Sequence, residues 1–192
     1  MFRAKQHAFI SSERLLLRPF SFSDIPAITQ LANDPVIAEN TLNIPSPYDE
    51  DDARVWLELQ QQLAQCYDSY AWAISLRSSG TLIGAISLTA TEDNQAETGY
   101  WIGKLYRNQG YCSEALQALL ENAQRIYQLT AVSAVHLVSN PASGKVMQHV
   151  GMKKIAEEMR HNSQDLRVPM AIYRIDFNPL STLPAVAKDL TQ

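Results

Sequence analysis

The segment from Tyr100 to Tyr127 constrains the fold most, because the hydrophobic period changes inside it. Residues Glu97 to Ile102 read as a strand, and a polar loop containing Gly110 follows. Ala115, Leu116, Leu119, Leu120, Ala123, Ile126 and Tyr127 then recur at helical spacing, forming one apolar stripe on a long helix. A helix starting at this loop presents unpaired N–H groups and the positive end of its dipole, so an anion is favoured there. Gly110 would let a ligand approach the backbone closely, and Arg107 adds a permanent positive charge. An empty strand-to-helix turn fits the same residues, and both readings are open on this stretch alone.

The rest of the chain alternates between the two periods. Leu15-Leu16-Leu17 reads as a short strand bounded by Pro19. Ser23-Asp24 supplies N-cap chemistry for a helix through Ile25, Ile28 and Leu31 that stops before Pro35. An extended loop over 40–48 holds Pro45 and Pro47. A second helix begins near Asp49, with Val55, Trp56, Leu59 and Leu63 as its apolar positions. Trp72 to Leu76 and Leu82 to Leu88 alternate on either side of Ser78-Ser79-Gly80, a hairpin signal. Val132 to Val138 reads as a buried strand. Asn140-Pro141 opens a short helix closed by Gly151, and 153–160 and 166–177 form a final pair of strands. This order predicts a mixed α/β (α+β) domain: a central twisted, mostly antiparallel sheet of about seven strands with flanking helices. The expected boundaries are an extension over 1–10, one domain over 11–177 and a tail over 178–192.

Composition narrows the function classes. With 192 residues, the chain can bury a core without a disulfide or metal staple. Sixteen Lys and Arg against 20 Asp and Glu give a net charge of −4, so nothing in the overall charge draws the protein to phosphate backbones or anionic lipid. Cys66 and Cys112 and the four histidines have no ligand spacing, so no metal is expected, and two free thiols suit a reducing cytoplasm. The start lacks a secretory signal, and no apolar run reaches the roughly 20 residues of a membrane helix. The expectation is a cytoplasmic protein with no nucleic-acid or membrane partner. Nucleotide-binding motifs are absent: Ser139 to Lys145 lacks the leading Gly of a Walker loop, and Gly103 and Gly110 are too far apart for a dinucleotide fingerprint.

Arg107-Asn108-Gln109-Gly110-Tyr111-Cys112 resembles the [QR]-x-x-G-x-[GA] acetyl-coenzyme A loop of the GNAT acetyltransferase superfamily. The chain is most similar to the RimJ/RimL-like branch, which includes protein N-terminal acetyltransferases. The supporting pieces, in order, are Glu13 to Pro19 with Asp24, Gly80 to Gly84, Glu97 to Ile102, Ser113 to Leu116, Asn140 to Ser143, and Val150 to Met152. Asn108 stands where the branch usually has Gly, and Cys112 where it has Gly or Ala.

The resemblance implies a set of roles. Backbone amides of Gln109, Gly110, Tyr111, Cys112 and Ser113 would cradle the coenzyme's pyrophosphate, with Arg107 as a charge partner. Trp101, Ile102, Asn140 and Ser143 would complete the coenzyme's contacts. Backbone N–H groups near Gly99 to Trp101 would stabilise a developing oxyanion. Glu97 would be the base for the acceptor amine, directly or through water, and Ser143 the proton donor to the departing thiolate. Each has a plainer alternative: a cross-strand pair for Glu97, a surface Arg at 107, a capped helix turn for Asn140 and Ser143. Glu114 reads as a structural carboxylate at a helix N-terminus. Tyr106, Tyr111 and Tyr127 are weaker acid candidates, and Cys66, His136 and His149 read as packing or surface residues.

The function implied is transfer of an acetyl group from acetyl-CoA to a primary amine, including a protein or peptide N-terminus. The protein would act as a monomer or homodimer. The first two helices, the 40–49 loop and the 162–166 turn would shape the acceptor pocket. A coenzyme A-binding module without turnover, a small-molecule amine or aminoglycoside acetyltransferase, and a structural domain without coenzyme are the alternatives.

Overall fold

In the computed structural model, described over residues 9–66, 69–162 and 165–177, the chain forms one sheet with helices on both faces. The strands are β1 (Ile10–Ser11), β2 (Leu15–Pro19), β3 (Ser69–Leu76), β4 (Leu82–Ala90), β5 (Gln95–Ile102), β6 (Ala131–Leu137), β7 (Lys153–His161) and β8 (Arg167–Asp176). The helices are α1 (Ile25–Ala32), α2 (Pro35–Asn40), α3 (Glu50–Cys66), α4 (Tyr111–Arg125) and α5 (Pro141–His149). The spatial order is β1-β2-β3-β4-β5-β6-β8-β7. Every neighbouring pair is antiparallel except β5 and β6, joined through α4. Among the described residues eight strands stand where about seven were expected; the extra one is the two-residue β1 on the β2 edge.

Strand periodicity sorts the side chains onto two faces. Leu17, Trp72, Ile86, Leu88, Thr98, Val132 and Ala134 are buried, and the apolar ones join Leu116 and Leu119 of α4 and Met147 of α5 in the larger core. On the opposite face Ala73 and Leu82 pack with Ile25 and Ile28 of α1 and Ala53 and Leu57 of α3, with Trp101 and Phe20 against them. That second core covers only the β2–β5 side of its face.

Three local features differ from expectation. Asp24 does not cap α1 with its side chain; it forms a two-pronged pair with Arg18 and accepts the Ser21 N–H. After Asn33, the chain starts a further short helix, α2, because Asp34 accepts the Val36 N–H and Pro35 takes the first helical position. On α3, the buried positions are Ala53 and Leu57, whereas Val55 is 64% and Leu59 46% exposed. Trp56 of the expected stripe does pack against the second core, but the stripe's centre lies about a third of a turn from the buried face.

The feature that positions a site is a split in the sheet. β5 and β6 pair from Gln95↔Ala131 to Thr98↔Ala134 and no further. β5 continues to Ile102 alongside β4, and β6 to Leu137 alongside β8. The two half-sheets therefore part beyond Thr98 and Ala134, and a wedge opens between them.

Candidate active site

The wedge is flanked by two helix N-termini. α4 begins at Gly110, whose φ of 79° is left-handed and comfortable only for glycine. Asn108, in the position where the resembling branch has Gly, adopts φ 61°, a conformation Asn tolerates better than most residues. No side chain caps α4, and the N–H groups of Tyr111, Cys112 and Ser113 have no hydrogen-bond partner among the described residues. Three free donors at the positive end of a 15-residue helix suit a multiply charged anion. A Cβ on Gly110 would lie 3.4 Å from Arg14 Nη2, so the open backbone and a guanidinium sit side by side. These features fit the pyrophosphate of coenzyme A, which Gln109 to Ser113 would hold.

Two arginines divide the work around this loop in a way the sequence does not indicate. Arg107 is committed inward: Nη2 donates to Asp34 Oδ2 at 2.7 Å and Nε to the Ile102 carbonyl at 3.0 Å. It ties the start of α2 to the end of β5. Arg14, contributed from just before β2, lies over the Tyr111 ring at 4.5 Å and donates Nη1 to the Gln109 carbonyl. Glu114 fixes it, accepting from Arg14 N and Nε and from Ser12 Oγ. Burial alone would raise the Glu114 carboxyl, but these three donors together hold it below its ordinary range. Glu114 therefore locks the helix start to β2. Gln109 turns its side-chain amide back onto the Leu105 carbonyl, leaving only its backbone toward the loop.

Cys112 lies in the first turn of α4 and packs against the larger core. Burial pushes its thiol up to about 12, so it stays protonated and unreactive at neutral pH.

Across the wedge, Asn140 caps α5 by accepting the Ser143 N–H at 3.4 Å. Ser143 faces β5, where Tyr100 Oη lies 3.0 Å from Ser143 Oγ and 3.1 Å from its carbonyl oxygen. The sequence gives the Tyr100 side chain no role, only its stretch of backbone. Its alternation with buried Thr98 and Ile102 does place it on the α4–α5 face.

Glu97 occupies the other face. Both its carboxylate oxygens accept from Arg160 of β7, each at 3.1 Å, and the Arg160 Nε also contacts Glu158. Two carboxylates against one guanidinium leave this cluster net negative, and two occupied lone pairs leave Glu97 capacity for a further donor. Alongside, Arg174 pairs with Asp176 and Gln95. Trp101 leaves the wedge on this side and packs into the second core, while Ile102 packs into the first. Glu97 and Ser143 are thus not in contact: they sit on opposite faces of the sheet, with the wedge between them. Local sequence carries no signal for Arg160, which lies 63 residues from its partner.

This geometry agrees with comparisons to known proteins. Residues 14–153 match the model of the acetyltransferase (GNAT) domain. An uncharacterised N-acetyltransferase of Bacillus subtilis, YnaD, is 29% identical over 147 residues, covering 76% of this chain and 82% of that protein. The ribosomal-protein-serine acetyltransferase of Escherichia coli is 30% identical over 139 residues, covering 70% of this chain and 76% of that protein. Among solved structures, the RimL ribosomal L7/L12 α-N-protein acetyltransferase bound to coenzyme A superposes with a TM-score of 0.78 at 22% identity, covering 88% and 98% of the two chains. A split sheet with an uncapped helix at its mouth, and a domain match over most of the chain, place this protein in the GNAT family of N-acetyltransferases.

Proposed function

We propose that the protein acetylates the α-amine of a protein or peptide, using acetyl-CoA as donor. The observation that carries this reading is the wedge itself: a route through the sheet from the donors of α4 to the ionised cluster around Glu97. The resemblance to a ribosomal-protein acetyltransferase supports the acceptor class. When bound, acetyl-CoA supplies the activated acetyl group.

The chain's own groups divide the remaining tasks. Gln109 to Ser113 hold the pyrophosphate, and Asn140 fixes the first turn of α5. Glu97, within its net negative cluster, attracts the acceptor ammonium and takes its proton directly or through a water. Each Glu97 oxygen keeps a lone pair beside its Arg160 contact, and a direct transfer uses one of these. Ser143 addresses the sulfur from the opposite face. The cytoplasm is the compartment we assign, on the sequence's two widely spaced cysteines.

Thermal unfolding with acetyl-CoA, against desulfo-coenzyme A and ATP as controls, tests the donor site. Ligand at 100 times its dissociation constant should add about 2.7 kcal/mol. Thiol release on adding N-terminal peptides, amino sugars or polyamines then identifies the acceptor. Protection without thiol release from any amine would make the protein a coenzyme-binding module, and no protection would remove the donor assignment.

A further inference from the structure

The Tyr100–Ser143 contact is the one polar link that crosses the open part of the wedge between β5 and α5 among the described hydrogen bonds. Tyr100 lies beyond the last β5–β6 pair, so nothing in the sheet ladder toward β6 dictates its position. Its ring packs with Cys112 against the larger core, and its hydroxyl reaches the first turn of α5.

The hydroxyl has one proton and two oxygens of Ser143 to choose between. Donated to the Ser143 carbonyl, it leaves Ser143 Oγ–H free to donate back to the Tyr100 oxygen, and the serine proton is then occupied. Donated to Ser143 Oγ, it fills a lone pair there and leaves the serine proton free to point elsewhere. Tyr100 Oη lies as near Ser143 Oγ (3.0 Å) as the carbonyl (3.1 Å), and once a sulfur acceptor faces Oγ the second arrangement pairs both hydroxyl protons while the carbonyl keeps its acceptor role within α5.

We propose that Tyr100 is a positioning residue for Ser143: it donates to Ser143 Oγ and thereby aims the serine hydroxyl proton at the sulfur of the coenzyme. The inference rests on the reading that Ser143 addresses that sulfur. Tyr100 does not give up its proton in this role. Burial pushes its hydroxyl well above the usual tyrosine value, with the nearby Cys112 and Tyr173 adding to the effect, so it acts as a fixed donor. The hydrogen bond it makes leaves Ser143 Oγ–H a stronger donor toward a thiolate than an unassisted serine would be.

The test uses the full-length protein with coenzyme A and follows the ultraviolet absorbance of the bound thiolate against pH. Tyr100→Phe keeps the ring and its packing, so the fold is retained, and a thermal melt checks this. In the wild type, the bound thiol should titrate below free coenzyme A. Tyr100→Phe should raise that midpoint by about one pH unit, a tenfold loss in preference for the thiolate. Ser143→Ala should raise it by a similar amount, and the double variant by no more than either single one. An unmoved midpoint in Tyr100→Phe overturns the proposal. So does a Tyr100→Phe shift that persists in the Ser143→Ala background. If coenzyme A gives the wild type no thermal protection, the donor-site reading fails first and takes this inference with it.

Discussion

Asp24 is 7% exposed, and its charge is compatible with that burial only because of what surrounds it. Burial would push the carboxyl up, but the Arg18 guanidinium, at 2.7 and 2.8 Å, and the Ser21 N–H bring it below its ordinary value. A carboxylate with a lower folded than unfolded pKa binds fewer protons when folded. Its contribution is therefore present above about pH 4, the unfolded value, and is lost as pH falls through the folded one. Arg18→Met should cost roughly 3 kcal/mol at neutral pH, since it strands a buried charge. The penalty should shrink toward pH 4, where protonating the stranded carboxyl relieves it. Urea midpoints at both pH values check this; an equal penalty at the two would show that Arg18 does not hold the charge.

Helices and strands were legible where one face is uniformly apolar. α4 reads directly from its stripe, and the split-sheet strands from their alternation. α3 does not, because Val55 and Leu59 offer a second apolar line beside Ala53 and Leu57, and periodicity cannot say which line meets the sheet. Only packing against Ile25, Ile28 and Ala73 decides it. Leu57→Ala should therefore destabilise by about 2–4 kcal/mol, while Val55→Lys and Leu59→Lys should stay within about 0.5 kcal/mol. Chemical denaturation of the three variants separates the two lines; a large loss at Val55 would put the wrong face against the sheet. The site follows the same logic. The proposed coenzyme loop is contiguous, so resemblance alone could nominate it, whereas the left-handed φ of Asn108 emerges only in the fold. Partners that converge only after folding were not legible: Asp34 meets Arg107 across 73 positions, and Glu114 meets Arg14 across 100.

At the scale of the molecule, the sheet acts as a partition pierced by one opening. The larger core and the α4 and α5 termini lie on one side; the Glu97–Arg160–Glu158 cluster lies on the other, over the half-sheet that α1 and α3 leave uncovered. Chemistry that needs donor and acceptor to meet through the opening predicts that lesions sort by face. Gly110→Val puts a branched side chain at a left-handed φ and toward Arg14 Nη2, so it should abolish most thermal protection by acetyl-CoA. Glu97→Gln keeps the shape but removes the charge, and should lower turnover by about 10²-fold with the protection unchanged. Because Glu97 touches none of the coenzyme-loop groups, combining it with a milder loop variant such as Gly110→Ala should give additive free energies in kcat/KM. Strong non-additivity would mean that the two faces communicate through the sheet rather than only through the substrates in the wedge. Wild-type turnover in Glu97→Gln at every pH would move the acceptor's proton to another group on that face.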